Sequence, residues 1–84
     1  MGGHRIVRTV DNLLPAQLQM LQLGANGATD LEIARHLNTP LSTIRDQWRY
    51  HLRPALGGID RTHTIALAVA AGLATPAPRT EAAA

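Results

Sequence analysis

Residues Thr29 to Arg53, TDLEIARHLNTPLSTIRDQWRYHLR, constrain the fold more than any other part of this chain. Thr29 followed three residues later by Glu32 is a capping-box pattern, in which each side chain satisfies an orphan amide of a helix's first turn. Leu31, Ile33, Ala34 and Leu37 supply the apolar contacts of that helix, and Asn38-Thr39-Pro40 makes a turn. Pro40 fits the first position of a following helix with Thr39 as its cap, and Ser42 is the rival cap. This second helix is expected to run to about Leu52 or Arg53, because Pro54 disfavours a helical residue before it. At ~100° per residue, Leu41, Ile44, Trp48 and Leu52 fall in one buried sector. Ser42, Arg45, Asp46, Arg49 and Arg53 then share an adjacent, outward-facing stripe.

Two further helices flank this pair. The first begins at Pro15 and runs to about Ala25, with Leu14, Leu18, Leu21 and Ala25 marking its buried face. Asn26-Gly27 stops it, since both residues tolerate a left-handed backbone. After the Gly57-Gly58 loop, Asp60 can cap a last helix from about Arg61 to Ala71, ended by Gly72. Within it Ile65, Ala66, Val69 and Gly72-Leu73 can face the core, leaving Leu67, Ala68 and Ala71 as a second smooth surface. Residues 1–12 read as a short N-terminal arm, with Arg5–Val10 at most weakly extended. Residues 13–73 form the folded domain, and 74–84 read as a disordered tail rich in Ala and Pro.

The expected class is therefore all-α, with four helices. Abundant Leu and Ala, one Trp, one Tyr and no Phe agree with helix rather than sheet. A chain of 84 residues builds at most one domain, whose core is small for a buried enzyme site. The absence of cysteine rules out a disulfide framework and thiolate metal sites. The longest apolar run, Ile65 to Ala71, is too short to cross a bilayer and no signal peptide opens the chain. A soluble, cytoplasmic protein is expected, with no membrane partner.

The net charge is only +2, but every one of the eight basic residues is arginine. Between residues 35 and 61, Arg35, Arg45, Arg49, Arg53 and Arg61 face only Asp46 and Asp60. Arginine is the side chain best suited to bidentate contact with phosphate or guanine. Two short helices across a tight turn, the second striped with arginine, have the form of a helix-turn-helix that enters the major groove of DNA. Arg45 and Arg49, one turn apart, are expected to read bases. Asp46 either accepts from cytosine N4 or holds Arg45, Arg49 or Gln47 in place. Ser42, Thr43, Thr29, Arg53, Arg35 and Arg61 are expected to position the sugar–phosphate backbone, although Thr29 has its capping role in any case. Tyr50 lies on the rim, for a phosphate or for solvent. Trp48 belongs to the core, and His51 is expected to be partly buried and hydrogen-bonded. His4, His36, His51 and His63 lack metal-ligand spacing, and no nucleophile–base–acid set can be assembled. No catalysis, cofactor or metal is expected.

The order of residues resembles the LuxR/GerE-type (NarL-like) four-helix DNA-binding domain of bacterial transcription regulators. The anchors are Leu13 with Pro15, Met20-Leu21, Gly27, Glu32-Ile33-Ala34 with Leu37, Ser42-Thr43-Ile44-Arg45, Leu52, Leu56-Gly57 and Asp60-Arg61-Thr62, covering about residues 13–73. No single piece is specific; their order and spacing together are. The chain departs from the pattern at Leu14 and Gln17, where the family has a Thr cap and Glu. It departs also at Pro40-Leu41, Asp46, Trp48 and His51, and by one extra residue around Arg53–Ala55. The resemblance implies a nucleoid-associated regulator of double-stranded DNA that forms a homodimer through the fourth helix, with Leu67, Ala68 and Ala71 at the interface. RNA polymerase or another regulator is a further conceivable partner. The same fold also serves a protein-interaction adaptor, and a sigma-factor-like promoter-reading module is the third alternative.

Overall fold

Helix α1 spans Pro15–Ala25, with proline at its first position, where a missing N–H costs nothing. The computed structural model describes residues 12–78; the arm before Asn12 and the tail beyond Pro78 lie outside the described residues. Leu14 offers no side-chain cap, and Gln17 supplies only the reciprocal half of a capping box, its Oε1 accepting from the Leu14 amide at 2.8 Å. Leu14 itself sits before the first turn and is 61% exposed. It is not part of the buried face. That face is Gln17, Met20 and Leu21, with Gly24 close against the core; Leu18 and Ala25 are only half-buried flanks.

The end of α1 is a Schellman motif. The amides of Ala28 and Gly27 return to the carbonyls of Leu23 and Gly24, with Gly27 at φ 92°. Helix α2, Asp30–His36, opens on the expected capping box. The Thr29 side chain accepts from the Glu32 amide at 3.2 Å and Glu32 Oε1 accepts from the Thr29 amide at 2.8 Å. It closes on a second Schellman motif through Asn38 at φ 51°, with the Thr39 amide on the Ala34 carbonyl.

Helix α3 spans Leu41–Gln47 and starts one residue later than expected. Pro40, in an extended conformation, is the N-cap, and no side chain caps the helix. Thr39 is not the cap because its hydroxyl donates back to the Leu37 carbonyl at 3.0 Å; Ser42 lies already inside the first turn. The rod does not stop before Pro54. A π-helical turn, Trp48–Leu52, follows α3 directly and leads into α4, Arg53–Leu56. In that wide turn the Arg53 amide bonds the Trp48 carbonyl, five residues back. Proline lacks an amide proton and its ring collides with the carbonyl four residues earlier in an α-helix. The π turn interrupts the α-helical ladder just where Pro54 needs it interrupted, so the rod continues to Gly57, which ends it at φ 76°.

Helix α5, Arg61–Ala70, starts on Asp60, whose carboxylate accepts from the His63 amide at 2.7 Å. Its buried positions are Thr64 and Ala68, both 0% exposed. The Thr64 hydroxyl can be buried because it donates to the Asp60 carbonyl at 2.6 Å. The helix is thus rotated relative to the expectation: Ala66 is exposed and Ala68 belongs to the core, not to a dimer surface. Two close approaches set this phase. A Cβ at Gly24 would lie 2.8 Å from Ile65 Cδ1, and one at Gly58 would lie 2.9 Å from the Thr64 Cα and overlap its hydroxyl.

The core joins all these elements: Met20 and Leu21 of α1, Ile33 and Ala34 of α2, Ile44, Trp48 and Leu52 of the rod, Ala68 of α5 and Ala74 beyond it. The described part of the expected tail is docked. Gln22 holds Thr75 from both sides, donating to its carbonyl (2.7 Å) and accepting from its amide (3.0 Å). The Ala77 amide donates to Asn26 Oδ1 at 2.9 Å. Among the described residues no strand occurs, and no helix is long and apolar enough to cross a membrane.

Candidate nucleic-acid interface

The buried edge of the rod determines what its other side presents. With Ile44, Trp48 and Leu52 turned inward, Ser42, Thr43, Arg45, Asp46, Arg49 and Tyr50 are all exposed. Ser42, Arg45, Asp46 and Arg49 line one shallow depression on that side. Arg49 continues into a second with Tyr50, Arg53, Pro54, Gly57 and Gly58. The expected stripe is thus one continuous surface from the first turn of α3 to the α4 turn.

Its charges are unspent. Arg35, Arg45, Arg49 and Arg53 make no ion pair with a described residue. Asp46 does not hold Arg45, Arg49 or Gln47; Gln47 Oε1 accepts instead from Gln17 Nε2 of α1 at 3.0 Å. That bond ties the rod to α1 from its half-buried side. The Arg49 guanidinium lies 5.9 Å from the centre of the Tyr50 ring, an exposed cation–π contact of modest strength, about 0.5–1 kcal/mol. Arg53 is half-buried, and its Nε has neither solvent access nor a hydrogen-bond partner among the described residues. Arg35 is exposed on α2.

Arg61 stands apart from the other arginines. Its Nε donates to Asp30 Oδ1 at 2.9 Å, a terminal nitrogen donates to the Ala28 carbonyl at 2.8 Å, and the guanidinium lies 4.9 Å from the centre of the Trp48 ring. Asp30 Oδ1 also accepts from the Trp48 indole at 2.9 Å. This network bolts the start of α2, the rod and the start of α5 together. The rod is therefore clamped at Gln47 on one side and at Trp48 on the other. Neither Gln17 nor the Asp30–Trp48–Arg61 set stood out in the sequence as part of the interface's support; the only signal was a polar residue on an otherwise apolar helix face.

Thr29, with Glu32, is engaged in its capping box, its side chain exposed. The His51 side chain is exposed and makes no hydrogen bond with a described residue, contrary to the expected partly buried, hydrogen-bonded state, because the wide turn places Arg49, Tyr50 and His51 outward in succession. On α5, Leu67 is half-buried and Ala71 is exposed, beside exposed Ala66 and Ala70.

Comparison of the chain with protein-family models, with curated proteins and with solved structures gives no match.

Proposed function

We propose that this protein binds double-stranded DNA by sequence and regulates transcription, placing the rod that begins at α3 in the major groove. The observation that carries this reading is the exposed stripe of Arg45 and Arg49, which have no carboxylate partner among the described residues, on a rod whose inner side is clamped by Gln17 and Asp30. Unpaired arginines one helical turn apart match guanine O6 and N7, and one correct bidentate pair discriminates by about 1–3 kcal/mol. A rigid mounting is what base reading needs, since misaligned donors gain nothing. Asp46, free of Arg45 and Arg49, can accept from cytosine N4. Ser42 and Thr43 at the start of α3, with Tyr50 and Arg53 beside this strip and with Arg35 on α2 and Thr29 at its N-cap, are assigned to the sugar–phosphate backbone. Arg61 has one terminal nitrogen left beyond its bonds to Asp30 and Ala28, which leaves it a smaller part.

The resemblance to the LuxR/GerE-type domain supports the same reading. Its one-residue excess around Arg53–Ala55 lies just after the π turn Trp48–Leu52, which takes up an extra residue in the helical ladder. A homodimer through α5 would use Leu67 and Ala71 with exposed Ala66 and Ala70, in place of buried Ala68. Two-fold pairing then sets two half-sites about one helical turn of DNA apart. The test is selection from a pool of random duplexes, at two salt concentrations, beside Arg45→Ala/Arg49→Ala. A repeated half-site enriched by the wild type and lost in the variant is the expected result. No enrichment, or weak binding shared by both proteins, rejects base reading and turns the search to a protein partner.

A further inference from the structure

Arg45 and Arg49 stand between two depressions. On one side they meet Ser42 and Asp46. On the other they wall a shallow depression of about 200 Å³ together with Arg53 and Arg61, which Trp48, Asp30 and Asp60 complete. Both carboxylates here are already engaged. Asp30 Oδ1 accepts from the Trp48 indole and from Arg61, and Asp60 Oδ1 accepts from the His63 amide at the start of α5. Arg45, Arg49 and Arg53 make no ion pair with a described residue. Arg53 is the most constrained of the three. It is half-buried, its side chain makes no hydrogen bond with a described residue, and its Nε is closed off from solvent. A buried donor without an acceptor costs stability. The fold therefore holds this guanidinium at the wall by packing alone and leaves its terminal nitrogens unspent.

Three unpaired guanidinium groups in one depression exceed what a single negative charge balances. A tetrahedral oxyanion with two charges suits them better, since arginine forks pair with phosphoryl oxygens two at a time. The volume is several times the ~30 Å³ share of one water, enough to admit such a group. A phosphodiester of the DNA backbone carries one charge, whereas a terminal phosphoryl group carries about two near neutral pH. We propose that this depression binds the terminal phosphoryl group of a small phosphorylated molecule. Arg45, Arg49 and Arg53 hold it, with the remaining terminal nitrogen of Arg61 beside them. Its occupancy excludes duplex DNA, because Arg45 and Arg49 cannot serve the anion and guanine edges together. The anion site stands on its own geometry; the exclusion rests on the DNA-binding reading above and gives that surface a regulator.

Trp48, the one Trp of the chain, lines the depression and reports on it. The experiment titrates the full chain with pyrophosphate at constant ionic strength, reading indole fluorescence and the rise in melting temperature that a ligand of the folded state produces. Two variants run beside it: Arg53→Met, which keeps a packed stem, and Arg35→Ala, on α2 outside the depression. Saturable binding is expected in the wild type and in Arg35→Ala. Arg53→Met is expected to bind at least about tenfold more weakly, having lost one charged hydrogen-bond partner. Without the anion it should melt no lower than the wild type, since it removes an unpaired buried donor. If it does melt lower, the exposed Arg49→Ala takes its place with the same expected loss. No saturable response in the wild type overturns the proposal. So does an equal loss in Arg35→Ala, which reduces the effect to diffuse attraction. Dimethyl phosphate, a singly charged diester like the DNA backbone, is expected to bind more weakly than pyrophosphate. Equal affinity assigns the depression to backbone phosphate and overturns the proposal too. In the last arm pyrophosphate is expected to displace bound duplex from the wild type at constant ionic strength. Duplex that stays bound while the anion saturates overturns the exclusion. A wild type that binds the anion but no duplex rejects the DNA-binding reading and leaves the anion site standing.

Discussion

One carboxylate oxygen, Asp30 Oδ1, serves both the Trp48 indole and the Arg61 guanidinium. Trp48 is 4% exposed, so its N–H is largely shielded and loses its protein acceptor if that carboxylate is removed. Asp30 and Arg61 are partly open, at 24% and 33% of side-chain surface, which weakens the ionic part of the bond through solvent screening. The hydrogen bond to the buried indole therefore stabilises the fold more than the ion pair does. Asp30→Ala is expected to destabilise by about 1–3 kcal/mol, measured by urea unfolding, and Asp30→Asn to recover part of that by keeping an acceptor. Equal losses in the two variants would mean that charge, not the indole bond, dominates. The paired glycines before α5 separate two other effects. Gly57 is left-handed, with nothing near its missing Cβ, whereas Gly58 abuts Thr64. Gly57→Ala should cost about 1–2 kcal/mol from backbone strain alone. Gly58→Ala should cost more, because a Cβ there meets the backbone of a fully buried residue and α5 must shift to admit it. Comparable unfolding midpoints for the two would show that α5 yields easily.

The elements themselves were legible in the sequence; their rotation was only half so. Capping chemistry placed α1, α2 and α5 within a residue of their bounds, through Pro15, the Thr29–Glu32 pair, Asp60 and the closing residues Gly27, Asn38 and Gly72. The rod's inner edge was equally clear, since Ile44, Trp48 and Leu52 are large and apolar. Where the centre of a face is polar or small, an apolar stripe points beside it. In α5 that centre is Thr64 and Ala68, so the Ile and Val pattern marked the flanks; in α1 the buried face is Gln17, Met20 and Leu21, of which the expected stripe caught only Leu21. Pro54 misled for another reason: it breaks an α-helix, but a π turn before it lets the rod go on. The continuous charged surface from Ser42 to Arg53 was legible; its supports, Gln17 and Asp30, were not, because they depend on partners 30 and 18 residues away. The corrected phase of α5 is open to direct test. Ala68→Leu is expected to destabilise by about 1–3 kcal/mol through overpacking, while Ala66→Gln should stay within about 0.5 kcal/mol. The reverse order in thermal unfolding would restore the rotation that Leu and Ile alone indicated.

Across the described residues, those that hold the fold and those proposed for DNA fall into nearly separate sets. Asp30, Trp48, Arg61, Gln17 and Gly58 are engaged inside, whereas Arg45, Asp46 and Arg49 are exposed and make no ion pair with a described residue, Arg49 lying near the Tyr50 ring. Changes on the stripe should therefore move binding and leave stability within about 0.5 kcal/mol. Asp46 gives this separation its sharpest form. A carboxylate amid the exposed arginines of a chain with net charge +2 repels the phosphates that the arginines attract, and no described partner neutralises it. Its presence opposes general affinity, and its compensation in the DNA-bound state would be a base-specific bond such as cytosine N4. Asp46→Asn should accordingly bind mixed-sequence duplex several-fold more tightly while discriminating less at one base pair of the selected half-site, by about 1–3 kcal/mol. Affinity for mixed and selected duplexes, measured at one fixed salt concentration, decides it. Tighter binding with unchanged discrimination would confine Asp46 to electrostatic restraint. No change in either would place it away from the duplex and require α3 to lie in the groove on a different edge.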